Sequence, residues 1–176
     1  ERVEEVKKDN INWIVKTNNG KIFLTPNVII AGGVGSFEPR KFPVKECEKF
    51  ENKSVFYSVK DKKIFEGKTV AIFGGGDSAL DWAVELSKNS KVNLIHRREE
   101  FRGAQATVNK MHALAKEGKI NLFTKYQMTS VHGNSQLESI DIKSDDDEKK
   151  NLKADYVLGF FGLIMQLGPI ANWGLN

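Results

Sequence analysis

Cysteine is almost missing from this chain of 176 residues, which has only Cys47. A single thiol allows neither an internal disulfide framework nor a Cys-x-x-Cys redox or zinc motif. The sequence is therefore typical of a reducing compartment, and we expect a cytoplasmic protein.

Long apolar runs are also missing. The most apolar stretch, residues 156–165, has about half the length that a bilayer-spanning helix needs, and Gln166 and Pro169 follow it. We predict that it forms a buried strand. The first ten residues, ERVEEVKKDN, have no basic and apolar signal segment, so nothing here predicts secretion or membrane association.

The overall composition is that of an ordinary globular protein. Apolar residues make up 40% of the chain and charged residues 28%, and this length can bury one good core, or one domain plus parts of another. The formal charge of +4 is compatible with an acidic partner, either a nucleotide or an acidic protein.

The N-terminal part has the pattern of an antiparallel meander. Residues 1–24 alternate in polarity around an Asn18-Asn19-Gly20 turn. A first glycine cluster, Gly32-Gly33-Val34-Gly35, follows an apolar run. Because Pro39 and Pro43 exclude a helix directly behind it, we interpret the cluster as the exit from one domain, with residues 37–43 as a linker, and not as a phosphate site.

From Gly67 onward, strands and helices alternate, which predicts an α/β fold with a parallel sheet and right-handed crossovers. The acidic stretch at residues 145–148 is interpreted as a solvated hairpin tip, and no metal site is expected. Strands are predicted at residues 69–73, 91–95, 120–123, 128–132, 137–143 and 154–162, and helices at residues 78–89 and 105–116.

The clearest motif lies between the first of these strands and the first helix. It has the GxGxxA spacing of a dinucleotide-binding loop and consists of Gly74, Gly75, Gly76, Asp77, Ser78 and Ala79. Gly74 permits the tight turn, Gly76 lets the backbone approach a pyrophosphate, and Ala79 keeps the helix close to the sheet. The flanking strand and helix favour this interpretation over a plain glycine-rich turn.

The residues after the second strand select the cofactor. NAD-binding units have an Asp or Glu there, which would repel a 2′-phosphate. This chain instead has His96, Arg97, Arg98 and, four residues further, Arg102. Guanidinium groups bind phosphate oxygens through charge-assisted hydrogen bonds, so the sequence predicts NADPH. A solvated or nucleic-acid-binding basic run is the alternative, but no interleaved aromatic residues or second basic stripe support nucleic acid.

Together, GGGDSALDWAVEL, HRREEFR, IIAGGVGSFEPR and LGPIANWGL resemble the thioredoxin-reductase-like flavoproteins. Thioredoxin reductases carry a Cys-x-x-Cys pair at positions that match Tyr57 and Lys60, so the resemblance is to the cysteine-free branch, the bacterial ferredoxin (flavodoxin)–NADP reductases. It implies a Rossmann-like, three-layer ββα NADPH domain at residues 37–163. Partial FAD-domain segments are implied at residues 1–36 and 164–176, and Val3 and Phe37 fall where the family contacts FAD.

The resemblance also implies a function. Hydride passes from NADPH to FAD, electrons pass on to ferredoxin or flavodoxin, no side chain here acts as acid or base, and the full-length protein is a homodimer. The family's N-terminal FAD-pyrophosphate motif and C-terminal flavin segment are not in this sequence, so we expect the chain alone to be inactive. A quinone or disulfide acceptor, or a non-catalytic NADPH-binding module, are the alternatives.

Overall fold

A computed structural model describes residues 1–32, 36–166 and 168–174, without the side chains of residues 36, 37, 165 and 166. The chain divides into two units. The first is built from residues 1–38 and 163–176, and the second from residues 39–162.

The first unit opens with the predicted meander. Three antiparallel strands follow one another: β1 Val3–Asp9, β2 Asn12–Thr17 and β3 Ile22–Thr25. Gly20 closes the turn between β2 and β3 with a φ of 77°, a left-handed conformation that favours glycine. A fourth strand, β4 Ser36–Pro39, occupies part of the segment predicted as a linker.

The second unit contains the alternating strands and helices. A 3₁₀ helix at Lys45–Phe50 and another at Lys62–Phe65 flank a short strand, and neither was predicted. The regular elements are β5 Val55–Phe56, β6 Thr69–Phe73, α1 Asp77–Leu86, β7 Lys91–His96, α2 Gln105–Lys116, β8 Ile120–Thr124, β9 Tyr126–Gly133, β10 Leu137–Ser144, β11 Lys149–Lys153 and β12 Tyr156–Gly159.

Five of these strands form a parallel sheet in the order β5-β12-β6-β7-β8. Successive residues of β6 alternate between its two faces: Val70 and Ile72 face one core cluster, and Ala71 and Phe73 face the other. All four side chains are at most 4% exposed, as expected for a central strand that is covered on both sides.

Two different layers cover this sheet. The helices α1 and α2 bury Leu80, Ala83 and Met111 on one face. On the other face, β9, β10 and β11 form an antiparallel sheet that contributes Ile140 and Ile142. The three layers confirm the predicted ββα arrangement of an α/β fold.

The predicted strand at residues 154–162 is shorter in the structure. After β12 the polypeptide leaves the parallel sheet, and a further strand, β13 Leu163–Gln166, pairs with β4 in the first unit. The apolar run at residues 156–165 is therefore only partly buried: Phe161 is 38% and Leu163 58% exposed. Hydrophobicity alone did not locate the point where the chain changes sheets.

The end of helix α1 also differs from the prediction, and one strand was missed. Helix α1 ends at Leu86 instead of Asn89, and the Ser87 hydroxyl donates a 2.9 Å hydrogen bond to the Val84 carbonyl at this end. Strand β11 was not predicted, because its sequence KKNLK contains a single apolar residue. A last 3₁₀ helix covers Gly168–Asn172.

None of the helices in the described ranges has both the length and the hydrophobicity to cross a bilayer. Those ranges also contain no group of three or more His, Cys, Asp or Glu side chains arranged to hold a metal ion. The single thiol, Cys47, is buried, and burial raises its pKa to about 12. It stays protonated at neutral pH and is a core residue, not a nucleophile.

A polar cluster crosses the antiparallel sheet. The Asp141 carboxylate on β10 accepts hydrogen bonds from Asn151 Nδ2, Ser130 Oγ and His132 Nε2, each at 2.7 Å. These bonds, with Asn151 the strongest contributor, lower the pKa of Asp141 from 3.8 to about 2. The charged form of Asp141 is thus favoured in the folded state.

This cluster predicts how stability depends on acid. Because the folded pKa of Asp141 is lowered, its contribution is complete above the ordinary pKa of 3.8 and is lost as the pH falls through about 2. We expect Asp141→Asn to lower the free energy of unfolding at pH 6 and to have little effect near pH 2, as measured by urea unfolding. Asp146→Asn, at the exposed hairpin tip, is the control for loss of charge. An equal effect of Asp141→Asn at both pH values would contradict the prediction.

Candidate functional site

A cleft of about 450 Å³ opens at the carboxyl ends of β6, β7 and β12. In open parallel sheets, ligands bind at this edge, where the chain order of the strands reverses. Here the reversal lies at β6, with β7 on one side and β12 on the other. The residues that line the cleft all belong to the second unit.

The glycine motif forms the middle of the cleft. Gly74 has a φ of 148°, and a Cβ atom at this position would lie 2.7 Å from the Phe160 carbonyl oxygen and 2.8 Å from Ala79 Cβ. The tight turn and the close approach of α1 to the sheet therefore both depend on small residues at positions 74 and 79.

The middle glycine, Gly75, makes room for His96. A Cβ atom on Gly75 would overlap the imidazole ring. The ring also stacks on Phe101, with centroids 5.0 Å apart, and its Nε2–H donates a 3.1 Å hydrogen bond to the Glu100 carbonyl. Sequence reasoning grouped Gly75 and His96 with the cofactor contacts but did not foresee that each fixes the position of the other.

The pKa of His96 is lowered by burial, the largest effect, and further by the charges of Arg97, Arg98 and Arg102. The hydrogen bond to the Glu100 carbonyl opposes this shift. His96 is therefore neutral near pH 7, in the form that can donate one ring N–H while adding no charge to the cleft.

The start of α1 offers unpaired donors. Gly76 is the N-cap and no side chain caps the helix. Within the described residues, the backbone N–H groups of Gly76, Asp77 and Ser78 donate to no protein acceptor, whereas those of Ala79 and Leu80 donate to the Gly76 carbonyl. Free amides at a helix N-terminus, together with the helix dipole, favour an anion.

Gly76 itself has an extended backbone, with φ −98° and ψ −179°, that any residue can adopt. A Cβ atom there would meet nothing within 4 Å. The chain's own packing therefore does not require glycine at this position. The open space next to Gly76, which an added Cβ would fill, can hold a ligand group against the backbone, such as the pyrophosphate of a dinucleotide.

The arginine loop, defined here as residues 96–102, begins at the last residue of β7 and lies on one side of the glycine loop, residues 74–79. Arg97, Arg98 and Arg102 line the cleft and are exposed. None of the three forms an ion pair with a carboxylate in the described part of the chain, and Glu99 instead pairs with Lys125 at 2.8 Å. Three guanidinium groups are thus available to an anionic ligand.

Two hydrogen bonds tie the arginine loop, and the residues directly after it, to the glycine loop. The Arg102 backbone N–H donates to the Gly75 carbonyl at 2.7 Å, and the Ala104 backbone N–H donates to Asp77 Oδ1 at 2.7 Å. The Asp77 carboxylate is thus turned toward the start of α2. Its contribution in the structure is to hold the two loops together.

Sequence reasoning missed the opposite wall of the cleft, which comes from the segment before β5 and from the residues after β12. Phe42 packs edge to face on Phe73 and Phe161, with centroids 5.1 and 4.8 Å apart. The neighbouring residues Arg40 and Lys41 also line the cleft. Arg40 is the last residue of the IIAGGVGSFEPR motif, but its place in the cleft was not predicted, because only the fold brings the segment after Pro39 beside β12.

The two predicted flavin contacts lie elsewhere. Val3 is a partly exposed residue of β1 in the first unit. Phe37 lies in β4, and its side chain is outside the described residues.

Comparisons with known proteins agree with the resemblance drawn from the motifs. The chain is 67% identical over 176 residues to the ferredoxin–NADP reductase of Pelagibacter ubique and 51% identical over 179 residues to that of Parvibaculum lavamentivorans. Both matches cover 100% of this chain and 52% of the relative, so the chain spans about half the length of these curated relatives.

Solved structures show the same fold. The thioredoxin reductase of T. acidophilum matches with a TM-score of 0.79 and 24% identity, over 99% of this chain and 56% of that one. The bacillithiol disulfide reductase of Staphylococcus aureus matches with a TM-score of 0.82 and 21% identity, over 100% and 52%. The profile of the family described as pyridine nucleotide-disulphide oxidoreductase matches residues 1–175. The chain belongs to this pyridine nucleotide-disulphide oxidoreductase family.

Proposed function

We propose that this chain is the NADPH-binding part of a flavin-dependent ferredoxin (flavodoxin)–NADP reductase. One observation carries the proposal: three unpaired arginines lie beside a helix N-terminus with free backbone amides, in one cleft. The cleft is lined by five Lys or Arg side chains and, among the described residues, by no Asp or Glu. This positive charge favours NADPH over NADH, because NADPH carries one additional phosphate group.

In this proposal, the glycine loop and the arginine loop bind different phosphate groups of NADPH. The amides of Gly76, Asp77 and Ser78 bind the pyrophosphate, and Arg97, Arg98 and Arg102 bind the 2′-phosphate. Neutral His96 holds the arginine loop against Gly75. Bound NADPH would supply the hydride for a flavin, so the chain's own task is to bind and orient the donor.

FAD is part of the proposal through family membership alone. In the described residues of the first unit there is no α-helix, and thus no counterpart of the glycine loop with its helix N-terminus. Val3 and Phe37 stay predicted flavin contacts, and residues 1–36 and 164–176 stay predicted FAD-domain segments. The homodimer and the cytoplasmic location also stay predictions. The name of the relatives supports ferredoxin as the acceptor.

The arginine loop predicts cofactor selectivity. Hydrogen bonds to charged groups contribute about 1.5–3 kcal/mol each, so replacing both Arg97 and Arg98 with Ala should lower NADPH affinity by about 100-fold or more. NADH affinity should change by less than about threefold, because NADH lacks the 2′-phosphate. Isothermal titration calorimetry on the chain measures both, with Lys60→Ala, an exposed residue outside the cleft, as the charge control. Equal losses for the two dinucleotides would refute the assignment.

Two neighbouring glycines should respond differently to alanine. In Gly76→Ala the added Cβ meets no protein atom, so the melting temperature should be unchanged while affinity for NADPH and NADH falls together. In Gly75→Ala the Cβ displaces the His96 ring, so both stability and binding should fall. Thermal unfolding and calorimetry separate the two outcomes. Full dinucleotide affinity in Gly76→Ala would show that the ligand does not approach the loop backbone.

A chimera tests the acceptor. This chain can replace the matching half of the Pelagibacter ubique ferredoxin–NADP reductase, with which it aligns over 176 residues at 67% identity. We expect the chimera to reduce ferredoxin with NADPH, and the isolated chain to reduce none. The same chimera with Arg97→Ala and Arg98→Ala is the matched control and should require far more NADPH. Faster reduction of a quinone or a small disulfide protein than of ferredoxin or flavodoxin would favour another acceptor.

A further inference from the structure

The net positive charge of this protein is confined to one unit. The sequence of the first unit, residues 1–38 and 163–176, contains five Lys or Arg and five Asp or Glu. The formal charge of +4 therefore comes entirely from the second unit. Five of the cations in the second unit line the cleft. The arginine loop accounts for only three of them, and Arg40 and Lys41 remain.

These last two cations differ in their partners. Lys41 Nζ forms a 2.8 Å ion pair with Glu51. Arg40 is exposed, and in the described part of the chain its guanidinium has no carboxylate partner. Of the two, Arg40 is therefore the cation whose charge the protein leaves uncompensated at the cleft.

The backbone of Arg40 is held at a defined place. Its N–H donates a 3.1 Å hydrogen bond to the Gly162 carbonyl, and Gly162 also lines the cleft. Two residues earlier, the Phe160 N–H donates to the Phe73 carbonyl at 2.8 Å, and the Phe160 carbonyl lies against Gly74. Since two residues span at most about 7 Å, Arg40 stands a short distance from the glycine loop.

The strand order fixes the side on which Arg40 lies. Strand β6, which carries the glycine loop, has β7 and the arginine loop on one side and β12 with the attached Arg40 on the other. Arg97, Arg98 and Arg102 thus flank the glycine loop from one direction and Arg40 flanks it from the opposite direction. An anion at the centre of the cleft lies between them, whereas a 2′-phosphate at the arginine loop lies on the far side from Arg40.

We propose that Arg40 is a further binding residue, which clamps the pyrophosphate common to NADPH and NADH against the free amides at the start of α1. The inference rests on the proposed dinucleotide function and adds a residue that the glycine and arginine motifs do not contain. A guanidinium suits this task because it offers several N–H donors to phosphate oxygens at once.

The proposal gives Arg40 a binding signature opposite to that of the arginine loop. Arg40→Ala should lower the affinity for NADPH and for NADH by the same factor, about tenfold or more for one lost charge-assisted contact. Binding of adenosine 2′-monophosphate, which has the 2′-phosphate but no pyrophosphate, should be unchanged. Arg97→Ala should instead weaken NADPH and adenosine 2′-monophosphate and spare NADH.

Calorimetry with these three ligands on the chain carries out the test. Arg40→Gln and Lys60→Ala are the companion variants, and circular dichroism checks that each is folded. Arg40→Gln should lose affinity as Arg40→Ala does, and Lys60→Ala should lose none. Unchanged NADH binding in Arg40→Ala, or a loss confined to the ligands with a 2′-phosphate, overturns the role of Arg40. Equal affinity of the unmodified chain for NADPH and NADH would instead overturn the proposed selectivity for NADPH. The effect of Arg40→Ala on NADH binding would still test the role of Arg40.

Discussion

The candidate site depends on the contact between two loops that leave neighbouring strands. The Arg102 N–H donates to the Gly75 carbonyl and, directly after the arginine loop, the Ala104 N–H donates to the Asp77 carboxylate, both at 2.7 Å. These bonds hold the arginine loop on the glycine loop. The His96 ring fills the space that a side chain at position 75 would need. The free amides at the start of α1 and the arginine side chains, about twenty residues apart in the sequence, are brought to one cleft through these contacts.

The three glycines of the motif serve three different physical purposes. Gly74 is required by backbone conformation and by the contact with Phe160, and Gly75 by the His96 ring. Gly76 is required by neither, since its backbone is extended and its Cβ direction is open. A motif that is written as one pattern therefore contains two positions fixed by folding and one left open to the ligand.

The sequence predicted the parts of the fold in which periodicity and chemistry agree. The continuous apolar strand β6, the helix α2 and the alternating meander at the N-terminus are recovered because burial on one or both faces determines their residues. Strand β11 was missed because it is polar and is held by pairing with β10. The exit from β12 was misplaced because Phe161 and Leu163 are apolar but exposed, a property that depends on tertiary structure.

The candidate site shows the same division. Residues in contiguous motifs, such as Gly74 and Arg97, were identified because their spacing to a strand end is characteristic. Arg40 and Phe42 were not, because only strand order brings the segment before β5 next to β12.

Tyr57, at the position where the resemblance places the first cysteine of the thioredoxin-reductase redox pair, has a structural role here. Its hydroxyl accepts a 3.2 Å hydrogen bond from the Phe42 N–H and donates a 3.4 Å bond to Glu51, and burial raises the pKa of Tyr57 to about 12. Glu51 in turn pairs with Lys41. Tyr57 thus supports Phe42 at this wall of the cleft and contacts the carboxylate that pairs with Lys41. Arg40 lies on the same wall and has no carboxylate partner among the described residues.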